Sequence, residues 1–200
     1  MTKAEIKQNI KRMNILDSAY RLFTDAGFAS TAIDDIVKSA GIAKGTFYLY
    51  FKDKYDLLDQ LIVHKGSDII VESYKRAFSD ESKNFEDKVI TFINNIIDFL
   101  VFHRELAALV QKNLSSFFRS VLNTNNSELR QSLKELTNGF VEKGYSRENA
   151  EKTIYLLTDF TGSVCCDAVV YGKPYSIEDI RPLFNLTVRN IIRQGANFDD

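Results

Sequence analysis

The residues Lys44, Gly45, Thr46, Tyr48, Leu49 and Tyr50 fall within one stretch of seven, and together they form a binding surface rather than a catalytic one. An ammonium, a hydroxyl and two phenols can donate hydrogen bonds. A leucine offers an apolar contact, and a glycine lets another surface approach the backbone. Lys44 has the reach to donate to guanine O6 and N7 or to a phosphate, and Thr46 to bond a base or phosphate while its methyl meets thymine. Tyr48 and Tyr50 suit phosphate oxygens, which fix register without reading sequence, and Leu49 suits a thymine methyl. Thr31 and the first amides of the helix that follows it form a second expected phosphate site. Lys54 adds another phosphate donor.

Other chemistry finds little support. No nucleophile stands beside a base in a supporting context, and no glycine-rich phosphate loop is present. Asp98 and Glu105 read as solvated helix faces. His64, His103, Cys165 and Cys166 have no metal-ligand spacing, so no metal and no cofactor is expected. The two cysteines are adjacent, project about 100° apart on a helix and have no third to pair with, which excludes an intrachain disulfide framework. An all-α enzyme is therefore the weakest class.

The elements that position the binding residues are short and helical. Thr2 caps a first helix, with Glu5 completing a capping box. Ile15, Ala19, Leu22, Phe23 and Ala26 form its apolar stripe, and Gly27 ends it. Thr31 is expected to cap a second helix, with Asp34 three residues on; Ile33, Ile36, Val37 and Ala40 face inward and Gly41 stops it. The turn Gly41-Ile42-Ala43 leads to a third helix over about 44–51. With Phe47 and Phe51 inward, Gly45 and Leu49 point away from the core, Thr46 and Tyr48 flank them, and Lys44 and Tyr50 take the shoulders. A helix this short is not stable alone and makes sense as a reading element held on a support. Asp53 caps a fourth helix that carries Tyr55, Leu58, Leu61 and Ile62 inward and runs to about Phe78.

After the polar break SDESKN, five further helices are expected near 84–102, 104–121, 127–143, 147–172 and 177–196. Ser146 and Ser176 are their N-caps, Asp179 completes a capping box, and Gly144, Gly172 and Pro174 are stop signals. Strand alternation and hairpin turns are lacking. The fold class is all-α, about nine helices: an N-terminal three-helix helix-turn-helix domain and a C-terminal helical bundle.

The net charge of −1 conceals an asymmetry. Residues 1–55 carry nine basic and six acidic side chains, whereas residues 56–200 carry 17 and 21. A basic head on an acidic body suggests that only the head approaches a polyanion. No signal peptide and no run of about 20 apolar residues is evident, so a cytoplasmic, nucleoid-associated protein with no membrane partner is expected.

The segments ILDSAYRLFTDAGF, STAIDDIVKSAGIAKGTFYLYF and KDKYDLLDQLI resemble the N-terminal domain of the tetracycline-repressor (TetR) family of bacterial transcription regulators. The resemblance covers the first third of the chain. It implies a DNA-binding domain over 9–69, with its helix-turn-helix about 32–51, and an effector-binding and dimerisation domain over 70–200. One departure is Ala32, where many members carry a second Thr or Ser; one phosphate contact is lost there.

The resemblance further implies a homodimer formed by the last two helices. Gly162, Ser163 and Ala168 would allow close approach, and Val164, Val169, Leu183, Leu186, Ile191 and Ile192 would supply apolar surface. It also implies a body that binds a small-molecule effector. Phe85, Phe92, Phe99, Phe102, Phe117, Phe118, Phe140 and Phe160 could line an apolar pocket, though an aromatic stripe at helical spacing reads first as core. The resulting expectation is a sequence-specific, homodimeric repressor released from a double-stranded, pseudo-palindromic operator by a small apolar effector. The alternative is an architectural or cell-cycle DNA-binding protein with the same head and no effector.

Overall fold

The structure is a computed structural model that describes residues 2–104, 107–108 and 126–195, with the side chains of Ala4 and Cys166 left aside. The helix expected near 104–121, with Glu105, Phe117 and Phe118, lies largely outside the described residues, as does the Cys166 side chain. Among the described residues there are eight helices and no strand: α1 (Lys3–Ala26), α2 (Ile33–Ser39), α3 (Lys44–Phe47), α4 (Lys54–Phe78), α5 (Phe85–Phe102), α6 (Ser127–Glu142), α7 (Arg147–Tyr171) and α8 (Ile177–Gln194). The fold is all-α. The chain divides into two compact units, Met1–Lys65 and Gly66–Asp200.

In the first unit, the Thr2 hydroxyl accepts from the Glu5 amide and the Glu5 carboxylate accepts from the Thr2 amide, closing the expected capping box. From α1, Ile15, Leu16, Ala19 and Phe23 are buried at helical spacing. They belong to a core that also takes Ile36 and Val37 from α2, Phe47 and Phe51 around α3, and Leu57, Leu58, Leu61 and Ile62 from α4. Tyr55, expected to continue that inward face, is exposed, with its ring set edge-on to Phe28 at 5.2 Å. At the start of α4 the Asp53 carboxylate accepts from the amides of Tyr55 and Asp56, and the Asp56 carboxylate accepts from the Lys52 amide.

In the second unit, α6 packs on α7, and α8 packs on both α7 and α5. The core holds Ile93, Ile97, Leu136, Phe140, Leu157, Val169, Phe184 and Val188. A polar seam fixes the register of α5 against α8. Arg181 bonds Asp98 at 2.6 Å, the Asn94 amide donates to Asn185 at 3.0 Å, Arg189 bonds Asp87 at 2.7 Å and Arg193 bonds Glu86 at 2.8 Å. As residue numbers rise along α8 they fall along α5, so the two helices run antiparallel. The positions 181, 185, 189 and 193 share one face because each step is close to one turn.

Helix α7 is long and apolar enough to cross a membrane by length and composition. That amends the expectation that no such run exists. In this fold it contributes Ala150, Leu157, Cys165, Ala168 and Val169 to the core instead. Gly139 on α6 lies against Phe85: a Cβ there would meet the ring carbon Cε2 at 2.2 Å. The glycine is what lets this ring lie against the helix backbone.

Candidate nucleic-acid interface

The turn between α2 and α3 is set by Gly41, whose φ of 65° lies in the left-handed region that a side chain rarely adopts. Helix α3 is shorter than expected. Regular helix covers Lys44–Phe47, and a tightened turn continues through residue 50. In that turn the Leu49 amide donates to Thr46 O at 3.3 Å and the Tyr50 amide to Phe47 O at 3.0 Å. The physical effect on side chains is small. Phe47 and Phe51 are fully buried, with ring centroids 5.5 Å apart.

Their burial turns the opposite face outward. Leu49 is 80% exposed and Tyr48 52%, the latter standing edge-on to Phe47 at 5.3 Å. Lys44 and Gly45 are exposed, and Thr46 and Tyr50 are half-buried. A leucine this exposed beside an exposed tyrosine has no role in the unit's own packing, and the patch is rimmed by donors. That composition is compatible with a major-groove surface.

Lys44 does not stand alone, which sequence reasoning missed. Its ammonium bonds Asp34 Oδ1 at 2.7 Å, joining the first turn of α2 to the first turn of α3. The hydrogen bond and charge of Asp34 raise the Lys44 pKa. The spacing of Asp34 and Lys44 across a helix-turn-helix was visible in the sequence, but their pairing depends on the crossing of the two helices.

Two other expected contacts are corrected. Thr31 does not cap α2; the N-cap is Ala32, and the Asp35 carboxylate accepts from the Ala32 amide at 3.0 Å. The Thr31 side chain is buried at 4% exposure, and its hydroxyl donates to Gly27 O at 2.9 Å and Leu22 O at 3.2 Å. It holds the end of α1 and is turned away from any phosphate. The carboxylates of Asp34 and Asp35 also stand in the first turn of α2, opposing an anion there.

Lys54 is likewise directed inward. Its ammonium donates to Phe28 O at 2.8 Å and Thr31 O at 2.9 Å, with Ala29 O at 3.5 Å, and lies 4.4 Å from the Phe28 ring centroid. An ammonium has three donors and all are directed at carbonyls of one loop. Lys54 organises the connection from α1 to α2.

The other expected surface, on α7 and α8, is partly corrected as well. Val169 is 2% exposed and Ile192 3%, so both belong to the unit's own core. Gly162, Val164 and Ile191 are half-buried. Leu183 and Leu186 are 68% and 52% exposed; on α7, Leu156 at 60% and Tyr155 at 57%, which the sequence did not single out, are exposed as well. Because α7 is apolar on more than one face, periodicity alone could not tell these from core residues.

A family model for bacterial regulatory proteins of the tetR family matches residues 15–61, which takes in α2, α3 and the turn between them. The fatty acid metabolism regulator protein of Bacillus subtilis is 31% identical over 133 residues, which are 66% of this chain; the chain spans 62% of that relative's length. Two solved structures share the fold across nearly the whole chain. One is a TetR variant from Acinetobacter baumannii in complex with minocycline (TM-score 0.66, 12% identity, covering 93% of this chain and 96% of that one). The other is the transcriptional regulator FadR from Bacillus subtilis in complex with stearoyl-CoA (TM-score 0.52, 22% identity, 92% and 98%). At such identities the two structures speak for the fold alone. The helix-turn-helix geometry and the matched segment agree: residues 15–61 are similar to bacterial regulatory proteins of the tetR family.

Proposed function

We propose that the protein is a homodimeric, sequence-specific DNA-binding transcription regulator, a repressor released from a pseudo-palindromic operator by a small apolar effector. In this reading residues 9–69 bind DNA and residues 70–200 dimerise and bind the effector. The observation that carries it is the outward face of α3, where Leu49 and Tyr48 stand exposed over buried Phe47 and Phe51. Lys44, Gly45, Thr46, Tyr48, Leu49 and Tyr50 are the contacting residues, while Thr31 and Lys54 support them from within.

One short helix reads only a few base pairs, and a two-fold pair reads two half-sites one helical turn apart. The exposed apolar residues Leu156, Leu183 and Leu186 support pairing through α7 and α8. The effector class to test first carries a long acyl chain as its apolar part, because the Bacillus subtilis relative is named for fatty acid metabolism.

The decisive experiment is selection of bound duplexes from fragmented genomic DNA by the full chain, followed by titration against salt. Enrichment of a two-fold symmetric site is expected, with addition of palmitoyl-CoA or stearoyl-CoA reversing the binding. Equal affinity for all duplexes would refute the regulator. Operator binding unmoved by any apolar ligand would leave the architectural alternative.

A further inference from the structure

The head is less basic where it is expected to read DNA than its total charge suggests. Residues 15–55 carry five basic and five acidic side chains and are neutral. The entire net charge of +3 over residues 1–55 comes from residues 1–14, with Lys3, Lys7, Lys11 and Arg12 against Glu5. Within the neutral part, Lys44 is paired with Asp34 and Lys54 is directed at three carbonyls; a little further on, Lys65 bonds Asp17 at 2.9 Å. Attraction to a polyanion that falls steeply with salt requires cations free to displace counterions.

The basic stretch is helical yet packs on little. Every described side chain from Thr2 to Lys11 is exposed, including Ile6 at 44% and Ile10 at 55%, whereas Ile15 and Leu16 are fully buried. A free helical segment of nine residues would not persist alone. Here it continues a packed helix, so nucleation is already accomplished, and the Thr2–Glu5 capping box closes its open end. Lys3, Lys7 and Lys11 recur at one-turn spacing, drift by about 40° per step and rise roughly 6 Å each time, which makes a single cationic edge. None of the three has an ion-pair partner among the described residues.

The root of this segment lies at the reading element. The Arg12 side chain donates to Gln60 Oε1 at 2.6 Å, and its guanidinium carbon lies 5.9 Å from the ring centroid of Phe51, the residue that closes the turn after α3. We propose that the exposed start of α1 is a second DNA-binding element, in which Lys3, Lys7 and Lys11 grip duplex phosphates and supply most of the head's sequence-independent affinity. The inference rests on the DNA-binding reading above. The occupant is the phosphate backbone, by charge complementarity and by the root at Phe51. Two exposed isoleucines give too small an apolar face for a membrane helix.

The test compares three full-length proteins by fluorescence anisotropy on a mixed-sequence duplex of about 40 base pairs, between roughly 50 and 200 mM KCl. They are the wild type, the triple variant Lys3→Gln, Lys7→Gln, Lys11→Gln, and a charge-matched control Lys134→Gln, Lys143→Gln, Lys173→Gln in the second unit. The triple variant is expected to lose about 2.7 from the log–log salt slope per bound head, at about 0.9 per phosphate, and at least about tenfold in affinity at low salt. The control is expected to match wild type, and circular dichroism to show both variants helical. A triple variant with the wild-type slope would overturn the inference while leaving the regulator intact. So would lysine-dependent binding to phosphatidylserine vesicles with the DNA slope unmoved. Failure of the wild type to bind any duplex would instead bring down the DNA-binding reading itself.

Discussion

Lys44 Nζ and Asp34 Oδ1 are 2.7 Å apart, so the cation at the start of α3 is neutralised by a carboxylate of the helix before it. Both side chains are more than half exposed, which places the pair in competition with water and with any incoming phosphate. To meet a guanine or a phosphate, Lys44 must give up its carboxylate partner.

Replacing Asp34 by asparagine releases Lys44 and removes a negative charge from the same face. Tighter DNA binding is expected, with a salt slope steeper by about 0.9 per head and an almost unmoved thermal midpoint. Anisotropy titrations of Asp34→Asn beside wild type measure this. Weaker binding would mean that Asp34 positions Lys44 productively.

Phe47 and Leu49 are two residues apart and should respond in opposite ways. Phe47→Ala removes a fully buried ring and is expected to cost the first unit about 3–5 kcal/mol of stability. Leu49→Ala, at 80% exposure, should stay within about 0.5 kcal/mol of wild type while weakening operator binding. Denaturant melts and binding titrations on the same samples separate the two.

Lys54 offers a test of architecture against contact. Lys54→Met removes charge-assisted bonds to Phe28 O and Thr31 O and is expected to cost about 1.5–3 kcal/mol in stability. The salt slope of DNA binding should not change. A slope reduced by about 0.9 with unchanged stability would return Lys54 to the phosphates.

Tyr145 connects stability to pH. Its hydroxyl donates to Ile192 O at 2.7 Å and to Ile191 O at 3.1 Å, the last carbonyls of α8. Burial raises its pKa, against a smaller opposing effect from the Gly195 amide. A phenol harder to ionise in the folded state stabilises fully below its unfolded pKa of about 10, and that contribution is lost as pH rises through the higher folded value. Tyr145→Phe is therefore expected to lose about 1 kcal/mol at neutral pH and to show a shallower decline above about pH 10. Thermal melts from neutral to strongly alkaline pH check both.

Helix boundaries were legible because caps are local. Thr2, Ser146 and Ser176 each accept from the amide three residues on, a relation written entirely within four residues. Thr31 shows the limit of that reasoning. It has the residue type of a cap, but its hydroxyl reaches Leu22 O, nine residues back, because α1 ends against it. Lys54 and Val169 fail for the same reason: a loop 23–26 residues upstream captures the first, and packing across the bundle decides the second. The outward face of α3 was readable because Phe47 and Phe51 fix its rotation by themselves.

The second unit contains an unbroken file of rings. Tyr74 stacks on Phe78 at 4.2 Å, Phe78 meets Phe85 at 6.2 Å, Phe85 meets Phe140 at 5.0 Å, and Phe140 meets Tyr145 at 5.1 Å. Gly139 clears the space for Phe85, and Tyr145 ends the file on the carbonyls of α8. Rings in close-packed interiors do not compress, so a shove at one end must be taken up by the neighbour or by a rotamer change. One run of ring contacts thereby links the last turn of α4 to the last turn of α8, and only a rotamer change along it would let one end shift without the other.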